Sequence, residues 1–301
     1  MSAAPAMDSP SELQPYARIA TLPRSGLRLF YYDAGAPALP ALLLVHGLGD
    51  EADSFRHVIA PLAERYRVVA PDLPGFGRSP LPDRGRLDPP GLRDTLIELL
   101  ESLSISRATI LGSSLGATLA QLVAIERPGL AERLVLVDGA LTVRTRIRAG
   151  LFIMLLPGVG KRRFRRLSHN LEAAYQSLRP YYAALDRLPA EDRRFLRHRV
   201  AARVLSPTQW RAYLAVLRGL VGWMVGRGRA FARRVARLEL PSLYIWGAED
   251  QIIGLSAGEE ARLKQPGALM EVIPDAGHLP HQERPSEFLR VLTKFLEPAS
   301  S

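Results

Sequence analysis

Two serines lie side by side between glycines in the segment LGSSLGA, residues 111–117. A short apolar run precedes this segment, and a helical pattern follows it. The pattern G-x-S-x-G places Ser114 at its centre. A turn this sharp leaves no space for a Cβ two positions before or after the serine, and a helix N-terminus favours a developing anion. We therefore predict that Ser114 is a nucleophile, and that Ser113 packs beside the strand or caps the helix.

A serine nucleophile needs a base, and the base needs a carboxylate that fixes its tautomer. Near the C-terminus, the run YIWGAEDQI ends a predicted strand and delivers Asp250. The run VIPDAGHLPHQERP ends the next predicted strand and contains His278. The chain order Ser114, Asp250, His278 is the order expected for a nucleophile on a strand–turn–helix element. We therefore predict that these three residues are catalytic.

Two further side chains compete for these roles. Asp138 also ends a predicted strand, in LVLVDG, and is the alternative to Asp250. His281 is the alternative to His278, and we expect it to be a neighbour of the site in the pocket or on the surface.

The run LLLVHGLGDEADSF, residues 42–55, ends a strand in His-Gly. We expect the loop after it to aim the backbone N–H of Leu48 at a tetrahedral oxyanion, together with the N–H of Leu115. His46 is expected to hold the loop by hydrogen bonds rather than to act in catalysis. A solvated turn is expected for the acidic residues that follow, Asp50, Glu51 and Asp53.

Strand-like apolar runs alternate with helical patterns along much of the chain. The predicted strands are residues 27–33, 41–47, 67–72, 108–112, 133–139, 242–247 and 269–273. The predicted helices lie near 54–65, 91–103, 115–127, 256–264 and 286–296. Several strands are almost continuously apolar, as is typical of parallel strands covered on both faces. The pattern predicts an α/β fold with a three-layer, mostly parallel sheet.

The alternation stops near residue 140 and resumes near residue 241. The sequence between these points has a helical pattern rich in arginine and aromatic residues, which indicates an all-helical insertion over the strand ends. We therefore predict a disordered lead at 1–15, a core formed by 16–140 and 238–301, and a helical cap or lid at 141–237.

Composition excludes several classes of protein and site. The chain has 301 residues and no cysteine, which excludes a disulfide scaffold and a thiolate metal site. We expect no cofactor and no metal, since no His/Asp cluster has ligand spacing. The N-terminus lacks the features of a signal peptide, and the apolar run 149–160 is too short to span a bilayer. A cytoplasmic location is expected, with a peripheral position at a membrane as the alternative.

Charge is concentrated in the predicted cap. Residues 144–237 hold 22 basic and 4 acidic residues, whereas the rest of the chain holds 18 and 26. Three interpretations are open: solvated arginine faces, an anionic membrane surface, or an acidic partner such as a carrier protein or the phosphates of coenzyme A. Nucleic acid is not expected, because no recognition motif accompanies the charge. Apolar cap residues favour a hydrophobic small-molecule substrate: Phe152, Met154, Leu155, Leu156, Trp210, Trp223 and Met224.

Over residues 27–140 and 240–297 the sequence resembles the α/β-hydrolase superfamily. Five motifs carry the resemblance in the family's order: His-Gly, P-D-x-x-G-x-G-x-S, G-x-S-x-G, W-G-x-x-D and A-G-H. The resemblance implies a Ser–His–Asp enzyme that works through an acyl intermediate beneath a helical cap. It also favours Asp250 over Asp138, because the family's catalytic acid more often lies in a W-G-x-x-D motif. In the same way it favours His278 over His281.

The resemblance also reduces the number of reactions to be considered. A serine at the elbow, rather than an aspartate, is unlike the epoxide hydrolases and haloalkane dehalogenases. The C–C bond hydrolases usually carry an aromatic residue after the catalytic histidine, where this chain has Leu279. The expectation is an esterase- or lipase-like serine hydrolase acting on the carboxylic ester of a hydrophobic acyl substrate. The alternatives are a C–C bond hydrolase, an acyl-thioester hydrolase, and a ligand-binding module without turnover.

Overall fold

A computed structural model describes residues 9–83, 85–139 and 153–297. Eight strands form one sheet in the spatial order β1-β2-β4-β3-β5-β6-β7-β8. Strand β2 is antiparallel to both of its neighbours, and the remaining pairs are parallel. The strands are β1 (Ala17–Thr21), β2 (Arg28–Ala34), β3 (Ala41–Val45), β4 (Arg67–Pro71), β5 (Ala108–Ser113), β6 (Ala131–Val137), β7 (Ser242–Gly247) and β8 (Leu269–Ile273). The predicted mostly parallel α/β fold is confirmed.

Both faces of the sheet are buried along its central strands, β3 to β7, which explains their continuous apolar runs. In β3, Leu43 and Val45 belong to one apolar cluster, while Leu42 and Leu44 belong to another. Successive side chains of a strand point to opposite faces, so these clusters are the two core layers. The helices of the described residues are α1 (Arg56–Ala63), α2 (Pro89–Ser102), α3 (Leu115–Glu126), α4 (Val159–Ser168), α5 (Leu171–Gln176), α6 (Ala190–Leu205), α7 (Pro207–Val235), α8 (Leu255–Leu263), α9 (Pro280–Glu283) and α10 (Pro285–Leu296).

The described part of the segment between β6 and β7 consists of helices joined by turns and contains no strand. It contains α4 to α7 and two short 3₁₀ turns at Arg179–Tyr181 and Leu185–Arg187. The longest helix, α7, starts with a proline in its first turn, and the Ser206 hydroxyl accepts from the N–H of Gln209 as its cap. The first residues of the predicted cap, with Phe152 among them, lie outside the described residues. No helix in the described ranges combines the length and apolarity needed to cross a bilayer.

The predicted disordered lead is too long at its C-terminal end. Residues 9–15 belong to the described part of the chain, and a 3₁₀ turn forms at Gln14–Tyr16. Leu13 is fully buried in the same core layer as Phe30 and Val68. One apolar residue in a polar run gives no periodic signal, so the sequence did not reveal this anchor.

Candidate active site

Ser114 lies at the junction of β5 and α3 in a strained backbone conformation. Its φ is +54° and its ψ is −114°, a region that residues with a Cβ rarely occupy. A Cβ on Gly112 would lie 2.1 Å from the carbonyl oxygen of Gly116, and a Cβ on Gly116 would lie 2.1 Å from that of Val45. Both glycines are therefore required by close backbone approach, and the turn presents Ser114 at the N-terminus of α3.

The loops after β7 and β8 bring a histidine and a carboxylate together. Nδ1 of His278 donates to Oδ2 of Asp250 across 2.8 Å, and both side chains are buried. The other oxygen, Oδ1, accepts from the N–H groups of Ile252 at 2.7 Å and Ile253 at 3.1 Å. These bonds fix the carboxylate and leave Nε2 of His278 available for a proton. Ser114 and His278 line the same cavity.

Asp138 lies beside this pair, fully buried and with a φ of +44°. Its Oδ1 accepts from the N–H of Gly247 at 2.9 Å. Burial, and then the negative charge of Asp250, raise the pKa of the Asp138 carboxyl well above its usual range. The side chain that hydrogen-bonds His278 Nδ1 is Asp250, so Asp138 contributes a neighbouring carboxyl that tends to be neutral.

Asp138, Asp250 and His278 each offer one ligand atom, and these atoms lie within 4.8 Å of one another. The sequence suggested Asp138 and Asp250 as alternatives for one role, and the structure places both of them beside His278. Hydrogen bonds already engage Nδ1 of His278 and both oxygens of Asp250. These three atoms are therefore already engaged without a metal ion.

The loop after β3 packs directly against the serine. Gly47 and Leu48 line the cavity with Ser114. A Cβ on Gly47 would lie 3.1 Å from the Cβ of Ser114. Within the described ranges, neither Leu48 nor Leu115 has a protein acceptor for its backbone N–H. The arrangement therefore has two unused donors on segments that adjoin Ser114, as an oxyanion site requires.

His46 stabilises this loop through two hydrogen bonds. It is fully buried, its Nδ1 donates to the carbonyl of Gly47 at 2.8 Å, and its Nε2 accepts from the N–H of Leu73 at 2.9 Å. Burial lowers the pKa of His46, which favours the neutral ring that these two bonds require.

The prediction of a solvated acidic turn after the loop is wrong. Glu51 and Asp53 are fully buried, and Asp50 is partly buried. Arg203 of α6 contacts Asp50 Oδ1 at 2.7 Å and Glu51 Oε1 at 2.8 Å through its Nη2. Its neighbour one turn earlier, Arg199, is fully enclosed and binds Asp53.

A third cation completes this network from the core side. Nη2 of Arg78 lies 2.9 Å from Asp53 Oδ1, and its Nε lies 2.8 Å from Asp72 Oδ2. The loop that carries the N–H of Leu48 is thus fastened to helix α6 by ion pairs that are largely buried. The i, i+4 spacing of Arg199 and Arg203 was the only sequence signal for this link, and it is also the spacing of an ordinary solvated face.

His281 lies in the core and not in the pocket or on the surface, so that prediction is wrong. It is fully buried, with its ring 4.9 Å from that of Phe55 and 5.7 Å from that of Phe288. Its Nε2 hydrogen-bonds the hydroxyl of Ser54 at 3.0 Å. Burial lowers the pKa of His281 to about 3. It is absent from the cavity wall and remains neutral at physiological pH, which leaves His278 as the histidine at the site.

The cavity above Ser114 has a volume of about 360 Å³, and its surface is mainly apolar. The cap supplies much of its wall, including Met154, Phe164, Leu167, Val200, Trp210 and Tyr213. Met154 and Trp210 were among the residues predicted from the sequence. Trp223 instead packs edge-on against Phe231, and Leu156 is 55% exposed. The cavity size and wall suit a small molecule with an apolar chain.

Comparisons with known proteins agree with this fold. A family model described as "Alpha/beta hydrolase family" matches residues 42–291. An uncharacterized protein of Mycobacterium tuberculosis is 30% identical over 259 residues, which is 86% of this chain and 75% of the relative.

Two solved structures show the same fold. A bacterial membrane phospholipase A is 25% identical with a TM-score of 0.75, covering 93% of this chain and 85% of that one. The 2-hydroxy-6-oxo-6-phenylhexa-2,4-dienoate hydrolase of a Rhodococcus strain is 21% identical with a TM-score of 0.75, covering 93% and 99%.

Proposed function

This chain belongs to the alpha/beta hydrolase family, and on that premise we propose that it is a serine hydrolase that cleaves the carboxylic ester of a hydrophobic acyl substrate. The observation that carries the proposal is the 2.8 Å bond between His278 Nδ1 and Asp250 Oδ2, which orients the histidine on the wall of the cavity shared with Ser114. The sequence predicted the same three residues from motifs at the ends of predicted strands and from the family resemblance.

In the proposed reaction, Nε2 of His278 takes the proton of the Ser114 hydroxyl as the serine oxygen attacks the ester carbonyl. Asp250 stabilises the resulting imidazolium. The N–H groups of Leu48 and Leu115 donate to the oxyanion, and loss of one such donor costs about 3–4 kcal/mol of transition-state stabilisation. His278 then returns the proton to the leaving alcohol. Water, deprotonated by the same histidine, hydrolyses the acyl-enzyme and releases the acid and free Ser114.

The substrate class follows from the cavity. Its wall is lined by aliphatic and aromatic side chains of the cap, such as Met154, Phe164 and Leu167, which favour an acyl chain over a sugar or a peptide. The likeness to a structure described as a membrane phospholipase A supports an ester substrate. The likeness to the Rhodococcus C–C bond hydrolase is at 21% identity and extends to the fold. Leu279, next to the histidine, also makes that chemistry the weaker candidate.

Hydrolysis of p-nitrophenyl esters from about two to sixteen carbons tests the proposal. We expect activity with an optimum at an intermediate chain length, set by a cavity of about 360 Å³. The Ser114→Ala variant is the control and should show no enzymatic turnover. Parallel assays with an acyl-thioester and with a vinylogous diketone separate thioester and C–C cleavage. Faster turnover of either of these substrates than of every oxyester would overturn the ester assignment. A protein that turns over none of them would support a binding module.

A further inference from the structure

Helix α4 carries five cations and no acidic residue in the sequence VGKRRFRRLS. All five side chains are exposed: Lys161, Arg162, Arg163, Arg165 and Arg166. The cap's ion pairs involve other cations, with Glu172 bound to Arg197, Asp186 to Arg179 and Asp192 to Arg56. Among the described residues, no carboxylate lies within ion-pair distance of the five cations of α4. This helix therefore presents uncompensated positive charge to solvent.

The opposite face of α4 is fixed to the cap. Gly160, Phe164 and Leu167 recur at the spacing of one helical face. A Cβ on Gly160 would lie 2.5 Å from Cδ2 of Leu214, and the ring of Phe164 stacks on that of Trp210 at 6.3 Å. The packing of this face fixes the orientation of the helix, so Lys161, Arg162, Arg165 and Arg166 are held outward, while Arg163 borders the cavity.

Two large apolar side chains are exposed immediately before this helix. Ile153 is 53% exposed and Leu156 is 55% exposed. An aliphatic side chain gains about 1.5–3 kcal/mol when it is moved out of water, so a surface that offers hydrocarbon would bind both. The combination of outward cations and exposed aliphatic residues within residues 153–168 is typical of a segment that lies at a lipid interface.

We propose that residues 153–168, the docking segment, bind the surface of a bilayer that contains anionic phospholipid. The cations would contact phosphate groups, while Ile153 and Leu156 would enter the boundary between headgroups and acyl chains. The inner side of the same segment forms part of the cavity wall through Met154, Phe164 and Leu167. Docking would therefore place the acyl cavity next to the lipid, a consequence that rests on the proposed function.

An acidic soluble partner is the competing occupant of this surface. Such a partner would satisfy the cations but would leave Ile153 and Leu156 in water. A bilayer provides both anionic phosphate and hydrocarbon at the depth that these side chains reach, which is why we favour it. Only the bilayer predicts that the two aliphatic residues contact lipid, so this contact distinguishes the two occupants.

Vesicle flotation with the Ser114→Ala protein measures docking without turnover, so docking and hydrolysis can fail independently. We expect binding to vesicles of phosphatidylcholine and phosphatidylglycerol, little binding to phosphatidylcholine alone, and weakening by added salt. Changing Arg162, Arg165 and Arg166 to Gln should weaken binding roughly 100-fold, or about fivefold per cation. The matched control changes three exposed arginines outside the cap, Arg18, Arg28 and Arg107, and should bind within about twofold of the parent.

A second pair of variants tests the apolar contact. The double change Ile153→Ser and Leu156→Ser should weaken vesicle binding by at least about tenfold. Its control is Ile19→Ser with Leu263→Ser, since these residues are 58% and 72% exposed outside the cap. Circular dichroism of each variant checks the fold. Unchanged binding of the arginine variant would overturn the proposal. Loss with the arginine variant but not with Ile153→Ser and Leu156→Ser would also overturn it, and would assign the surface to an acidic soluble partner.

Discussion

A Cβ on Gly47 would lie 3.1 Å from the Cβ of Ser114, so the loop after β3 and the nucleophile turn are in close contact. A methyl group at Gly47 must push the loop, and the N–H of Leu48 moves with it. We predict that Gly47→Ala lowers kcat/KM for ester hydrolysis by about 10²-fold, because small displacements of aligned groups are costly. Steady-state kinetics checks this. Gly228→Ala, on α7 with nothing within 4 Å of the added methyl, should leave kcat/KM unchanged. Wild-type kinetics for Gly47→Ala would contradict this arrangement of the loop.

The two buried carboxyls should respond differently to amide substitution. Asp250→Asn removes the acceptor of His278 Nδ1 and should lower kcat by about 10⁴-fold. Asp138→Asn replaces a carboxyl that tends to be neutral with a neutral amide and should keep kcat within about tenfold. Measured kcat values for both variants decide between the two acids. If Asp138→Asn is the more damaging change, the acid has been assigned to the wrong residue.

His281 predicts a specific loss of stability in acid. Its folded-state pKa is about 3, against an ordinary value of 6.5. Above pH 6.5 the ring is neutral in both the folded and unfolded states and contributes no pH dependence. Below pH 6.5 the unfolded chain binds a proton that the folded chain does not, so the free energy of unfolding falls until the pH nears 3.

Urea unfolding of wild type and His281→Gln between about pH 7 and pH 4 measures this effect. The wild-type advantage in unfolding free energy should shrink as the pH falls. The same substitution at the exposed His169 is the matched control. A wild-type advantage that stays constant across this range would show that His281 is not held neutral.

The ion pairs between loop and cap should contribute to stability. Asp53→Ala removes one acidic partner of Arg199 and one of Arg78. Because two buried guanidinium groups then lose part of their counter-charge, we expect a loss of about 3 kcal/mol in unfolding free energy. Urea midpoints give this value, and Glu249→Ala, an exposed acid, should change stability by less than about 0.5 kcal/mol. Equal midpoints for the two variants would mean that the network contributes little.

Local patterns predicted the sheet and the three proposed catalytic residues because each depends on short segments. The apolar runs of β3 and β7 were visible since both of their faces are buried, and each of the three residues lies in the turn or loop after a strand. Strand β1 was missed because it is a partly exposed edge strand without a continuous apolar run. The burial of Asp53 could not be predicted, since its partner Arg199 is 146 residues away in the chain. The burial of His281 could not be predicted from the sequence either, because the aromatic rings that cover it come from two separate helical segments.

The central claim is that Ser114 is an activated nucleophile, and a fluorophosphonate probe tests it most directly. Such a probe bonds to a serine that a base has activated, so mass spectrometry of the labelled peptides locates the nucleophile. We predict one adduct, on Ser114, that is retained in Ser113→Ala and absent in Ser114→Ala. An adduct that persists in Ser114→Ala, or a folded wild-type protein that remains unlabelled, would contradict the account.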